Sequence, residues 1–252
     1  MIRRYFFIGL LFILMFSCGQ KEKAKLTIAT AANVQFAMKE LVELFTQQEG
    51  IPANIVISSS GQLTAQIKQG APFDLFVSAN MKYPEELYRS GFTTGAPAVY
   101  AYGKLVLWTA EEAINPSIDL LDSPSIKHIA LANPKNAPYG QAGVEVLQHY
   151  QVFDKVASKL VYGESISQTN QFIVSGAAEI GFTAKSVVVS PTLVEKGKWI
   201  EIDQNTYTPI AQGVVLIKKD DQIITEAEKF YSFLFSQKAK AVLEKYGYQL
   251  KD

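Results

Sequence analysis

The feature that most restricts the fold is a regular alternation of short apolar runs with amphipathic stretches, interrupted at two places. Leu26–Thr30 is a β-type run, and after it Val34, Ala37, Met38, Leu41, Leu44 and Phe45 recur at helical spacing as far as Gly50. That spacing places the apolar side chains on one stripe of a helix. Asn54–Ile57 reads as the next strand, Leu63–Gln69 as a short helix, Asp74–Ser78 as a third strand and Tyr83–Arg89 as a third helix. Strands joined through helices are parallel neighbours, because a parallel pair needs a crossover connection.

A Gly-, Thr-, Ala- and Pro-rich stretch, Phe92–Tyr102, breaks the alternation. It resumes with Lys104–Thr109, Lys127–Ala132, Leu160–Tyr162, Glu179–Thr183 and Trp199–Ile202 as strands, and with Gln141–Tyr150 and Ser167–Ser175 as helices. A second break covers Asp203–Gln212, followed by a strand at Val214–Lys218. A long helix, Gln222–Phe235, then carries Ile223, Ala227, Phe230 and Leu234 on one face, and Lys238–Lys245 forms a shorter one. The pattern predicts an α/β chain of two lobes, each a mainly parallel sheet with flanking helices. Residues 25–102 and 212–252 make lobe 1 and residues 103–211 make lobe 2, with two strand crossings between them near 100 and 210. The chain contains no internal repeat.

The N-terminus is read separately from the fold. Arg3 and Arg4 precede Tyr5–Phe16, an uncharged run of twelve residues. That is too short to cross a hydrocarbon core of about 30 Å as a helix, and it has the form of a signal h-region. It runs into Met15-Phe16-Ser17-Cys18-Gly19. A small residue directly before Cys resembles a bacterial lipoprotein cleavage site, although Met15 and Phe16 replace its usual Leu and small residue. Residues 1–17 are therefore expected to be a lipoprotein signal peptide, Cys18 the lipidated residue and 18–24 a tether; an ordinary secretory signal with an incidental Cys is the alternative. Lipid on Cys18 would hold an exported protein at a membrane surface in the cell envelope, and not through the membrane.

Composition removes several function classes. Lys+Arg and Asp+Glu both number 24, so no basic field exists to hold nucleic acid by charge. The signal removes two Arg and no acid, which leaves the mature chain at net −2. One Cys rules out a disulfide framework, and two His make a His-rich metal site an unfavoured expectation. No Gly-rich phosphate loop, G-x-G-x-x-G, H-E-x-x-H or G-x-S-x-G is present. His128 and His149 read as surface or partly packed residues, and Trp108 and Trp199 as packing residues.

What recurs is a loop of small or polar residues between a strand and a helix: Ala31–Asn33, Ser58–Gly61, Ala137–Gly140 and Glu164–Ser167. Asn33 stands at an expected N-cap. Each loop offers unpaired N–H groups and the positive end of a helix dipole. Each lies at the carboxyl end of a strand, where open α/β sheets bind ligands. Any one of them could be an ordinary cap. Four together, two in each unit, point to one small anion held without Arg or Lys.

The same stretches carry a resemblance. Leu26-Thr27-Ile28-Ala29-Thr30-Ala31-Ala32-Asn33, Ser58-Ser59-Ser60-Gly61-Gln62-Leu63-Thr64-Ala65-Gln66-Ile67, Gly70-Ala71-Pro72-Phe73-Asp74-Leu75-Phe76-Val77-Ser78-Ala79 and Lys245-Tyr246-Gly247-Tyr248 are similar to the periplasmic molybdate-binding proteins of ABC transporters, the ModA family. The resemblance covers residues 25–252. It implies the type II periplasmic-binding-protein fold, two lobes on a two-strand hinge with the ligand between them. It implies a non-enzymatic monomer with no cofactor, which binds molybdate or tungstate as an oxyanion and works with permease and ATPase subunits.

Carried over residue by residue, Asn33 falls at the first-loop polar ligand and Ser60 at the second-loop Ser, which binds through hydroxyl and N–H. Tyr139 and Ile166 fall at backbone donors. Many members also carry a Tyr after the Gly-aliphatic strand. Here Gly181-Phe182-Thr183 leads to Ala184, which has no hydroxyl; members with Asn in the first loop can also lack that Tyr. A binding protein for sulfate, phosphate or another oxyanion is the nearest alternative. An enzyme or sensor on the same fold is the other, and it lacks a convergent acid, base or nucleophile.

Overall fold

The computed structural model describes residues 26–219 and 225–250. The signal segment, Cys18, the tether and the expected first turn of the long helix at Gln222 lie outside the described residues. The strands are β1 (Leu26–Ala31), β2 (Ala53–Ser58), β3 (Leu75–Ser78), β4 (Ala98–Gly103), β5 (Leu105–Thr109), β6 (Ile129–Ala132), β7 (Leu160–Gly163), β8 (Ile180–Ala184), β9 (Lys198–Glu201) and β10 (Ile210–Leu216). The helices are α1 (Gln35–Glu49), α2 (Ser60–Lys68), α3 (Lys82–Arg89), α4 (Pro138–His149), α5 (Phe153–Val156), α6 (Ile166–Val174), α7 (Lys185–Val188), α8 (Thr225–Leu234) and α9 (Gln237–Lys245).

Two five-stranded sheets result, in the orders β2-β1-β3-β10-β4 and β7-β6-β8-β5-β9. In the first, β1 pairs in parallel with β2 and β3, while β10 pairs antiparallel with β3 and β4. In the second, β6 pairs in parallel with β7 and β8, while β5 pairs antiparallel with β8 and β9. Each sheet is thus mixed. Its parallel strands are those linked by helical crossovers, and the antiparallel pairings belong to the strands through which the chain passes between sheets. Lys104 alone separates β4 from β5, and residues 202–209 separate β9 from β10. The Phe92–Tyr102 stretch contains β4, a strand whose Ala, Tyr and Gly residues lack the β-branched pattern that identifies the others.

Side chains alternate across a strand, and each sheet uses both faces. In the first, Ile28, Leu75, Val77 and Val214 face α1, α8 and α9, where Phe45 meets Phe230 edge-on at 4.9 Å between ring centroids. Ala29, Phe76 and Val215 face the other way, onto Leu63 and Ile67 of α2 and Leu87 of α3. In the second, Leu105, Leu107, Leu131 and Phe182 pack on α4, while Val106, Trp108 and Ala130 pack on Ile173 and Val188. Trp108 is fully buried and donates its indole N–H to Lys196 O at 2.9 Å. With helices on both faces of both sheets, the carboxyl ends of the parallel strands face one another across a cleft.

Candidate functional site

The start of α2 shows how the cleft is furnished. Ser59 is its N-cap, and the Ser59 Oγ accepts the Gln62 N–H. Ser60 is therefore the first helical residue, where an N–H has no acceptor in its own helix. The Ser60 Oγ accepts the Ala79 N–H at 3.0 Å. With its oxygen engaged from that side, the hydroxyl hydrogen is left to be donated elsewhere.

The other helices repeat the arrangement. Pro138 opens α4, where its missing N–H costs nothing. The Gly140 and Gln141 N–H groups both donate to Ala137 O, which leaves that of Tyr139. Pro138 thus moves the helix start three residues ahead of the expected Gln141. Ser165 caps α6 by accepting the Gln168 N–H, and Ile166 follows as its first residue.

Asn33 differs from its expected role. It lies within a 3-10 turn, Ala32–Val34, before α1, and no side chain caps that turn or the helix. Its Nδ2 donates to Gln212 Oε1 at 2.7 Å and to the Tyr248 hydroxyl at 3.0 Å. The Gln212 amide is itself oriented, because its Nε2 donates to Ala79 O and Ile210 O. Its oxygen must therefore face Asn33, and Asn33 must present nitrogen. Ser186 Oγ, from the second sheet's side, donates to Asn33 O at 2.7 Å. Both Asn33 amide hydrogens are committed inside the protein, so its side chain is a strut behind the cleft. Gln212, Tyr248 and Ser186 were not singled out in the sequence as site residues. They lie 153–215 positions from Asn33, and only the Lys245–Tyr248 stretch carried a signal.

The structure brings Asn33, Ser60, Tyr139 and Ile166 together around one small cavity of about 10 Å³. They are 1%, 0%, 1% and 4% exposed. Ser59, Ala79 and further Ala and Pro residues complete the wall, and every lining residue is neutral. The Tyr139 phenol points to the hinge: a Cβ on Gly103 would lie 2.0 Å from its oxygen. Burial, with the Tyr248, Tyr100 and Tyr207 phenols nearby, pushes its pKa well above the ordinary value, and burial raises that of Tyr248 too. Both phenols stay protonated at neutral pH. Ala184 ends β8 fully buried in the core beside α4.

The two sides of the cleft are in contact. Gly61 N–H donates to Asn136 O at 2.9 Å, the Tyr83 hydroxyl to Lys135 O at 3.0 Å, and Gln62 Nε2 to Glu164 Oε2 at 3.3 Å. Among the described residues no group of three or more His, Cys, Asp or Glu could hold a metal ion, and no helix is long and apolar enough to cross a membrane. The cavity offers hydrogen-bond donors, with neither a carboxylate nor a cation in its wall. Such a surface can hold an anion.

Residues 26–249 match the family described as bacterial extracellular solute-binding protein. The chain is 38% identical over 221 residues to the molybdate-binding protein ModA of Rhodobacter capsulatus, covering 87% of this chain and 86% of that one. It is also similar to the periplasmic molybdate-binding protein of Azotobacter vinelandii, whose structure superposes with a TM-score of 0.85 at 35% identity, over 90% of this chain and all of that one. The sulfate-binding protein SubI of Mycobacterium tuberculosis H37Rv shares the fold at 13% identity, with a TM-score of 0.72 over 90% of this chain and 87% of that one.

Proposed function

The chain belongs to the bacterial extracellular solute-binding proteins, and from that premise we propose that it binds molybdate in the cleft and delivers it to the permease and ATPase of an ABC importer. The observation that carries this reading is the convergence of Asn33, Ser60, Tyr139 and Ile166 on one neutral cavity, in a chain whose relatives are molybdate-binding proteins. Helix N-termini are ready-made anion sites. Hydrogen bonds to a charged partner are worth about 1.5–3 kcal/mol each, so a few donors suffice without a cation. On this reading Ser60 contributes its hydroxyl and N–H, and Tyr139 and Ile166 their N–H groups. Asn33 contributes its N–H while its side chain braces the loop.

A donor cradle reads shape and charge. Tungstate, nearly the same size and shape as molybdate, should bind about equally. Sulfate has shorter bonds and cannot reach every donor. Phosphate near neutral pH is partly protonated, and its O–H finds no acceptor among donor groups. The protein works as a monomer, needs no cofactor, and is held by lipid on Cys18 at the membrane surface that faces the importer. A thermal-shift panel of oxyanions on the mature protein tests the ligand. Molybdate and tungstate should raise the melting temperature well above sulfate and phosphate. A larger shift with sulfate would replace the ligand and keep the class.

A further inference from the structure

Gly61 and Asn136 meet across the cleft through backbone alone, beside the donors assigned to the anion. Gly61 follows Ser60 in the first turn of α2, and Asn136 lies three residues before Tyr139, just ahead of α4. The Gly61 N–H to Asn136 O bond of 2.9 Å therefore fixes the spacing between two helix N-termini on opposite sides of the cleft. There is no slack in the contact. A Cβ on Gly61 would lie 3.0 Å from Asn136 Cα, 3.1 Å from Asn136 O and 3.0 Å from the Tyr83 hydroxyl. The facing loop is braced, since the Asn136 and Ala137 N–H groups both donate to Asn133 O and Tyr83 holds Lys135 O.

We propose that the Gly61–Asn136 contact is the stop that sets how far the cleft closes, and so which size of oxyanion it fits. Gly61 is then a specificity-determining positioning residue that never touches the ligand. The inference rests on the oxyanion reading above. A methyl group at 61 holds the two sides apart by a few tenths of an ångström. Molybdate, which spans donors from both sides, has every one of those bonds stretched. Sulfate, too short to span them fully, has less to lose.

The test is calorimetry of wild type and Gly61→Ala with molybdate and with sulfate, together with melting of both unliganded proteins. Ala suits a first-turn helix position, and when the cleft is open only the Tyr83 hydroxyl, on the same side and 3.0 Å from the added carbon, has to shift, so unliganded melting should stay close to wild type. Molybdate affinity should fall roughly tenfold, the loss of about 1.4 kcal/mol of hydrogen bonding to a charged acceptor, and the preference over sulfate should narrow. Scattering with saturating molybdate should give the variant the larger radius of gyration. Unchanged affinities, or equal losses for both anions, would overturn the inference while leaving the oxyanion reading intact. A wild type that binds neither anion would overturn that reading and this inference with it.

Discussion

At Ser60 one side chain divides two tasks: its oxygen anchors the Ala79 N–H, which leaves its hydroxyl hydrogen for the cleft. Ser60→Ala should weaken molybdate binding roughly 10- to 150-fold, the equivalent of about 1.5–3 kcal/mol. Tyr139→Phe removes a buried hydroxyl with no hydrogen-bond partner. It leaves the backbone donor in place, so affinity should stay within about threefold. Isothermal calorimetry on both variants separates a side-chain ligand from a backbone one, and the reverse order of effects would discard the assignment. Asn33→Ala strips the acceptors Gln212 Oε1 and the Tyr248 hydroxyl of their donor inside the protein. It should lower unfolding free energy by about 1–3 kcal/mol in urea titration, besides weakening binding.

The four residues that converge on the cavity were legible in the sequence because each stands in a local pattern: a strand, a short polar loop, a helix start. The strut that orients Asn33 was not. It joins residues from β10, the C-terminus and α7, and no sequence period connects them.

At the element scale, the strand–helix alternation located β1–β3 and β6–β8, but the expected mainly parallel sheets are mixed, because β5, β9 and β10 pair antiparallel; the two breaks lie next to the crossings at Lys104 and 202–209. β4 was hidden because it pairs antiparallel with β10 and draws its stability from that partner more than from its own residues. The crossings carry a clamp. Glu201, at the end of β9, binds Lys104 between β4 and β5 at 2.5 Å and Lys185 at the start of α7 at 2.7 Å. Partial burial alone would raise the Glu201 pKa, but hydrogen bonds and charge from the two ammonium groups outweigh it and hold the carboxyl below its ordinary value. A depressed carboxyl stabilises the fold above its unfolded pKa, and that contribution is lost as pH falls through the lowered folded value. Glu201→Gln should therefore lower stability near neutral pH by up to about 1 kcal/mol. The difference from wild type should vanish in acid when melting is followed against pH. A gap that widens on acidification would contradict the sign.

At the scale of the whole molecule, the proposed binding cleft is paired with a proposed surface anchor. Cys18→Ser should move the protein from the membrane fraction to the soluble fraction and abolish fatty-acid labelling, if Cys18 carries the lipid. Continued membrane association of the variant would point to another tether. The central claim is that a neutral donor cradle takes molybdate. With no carboxylate, imidazole or ammonium group in the cavity wall and the Tyr139 and Tyr248 phenols held protonated, binding should not depend on pH over roughly the neutral range, between the ordinary carboxylate and phenol values. The direct measurement is competition calorimetry on the mature protein across that range, with molybdate titrated in the presence and absence of excess sulfate. One molybdate per chain, an affinity that is flat with pH and little displacement by sulfate are expected. No molybdate binding, or sulfate bound more tightly than molybdate, would contradict the claim.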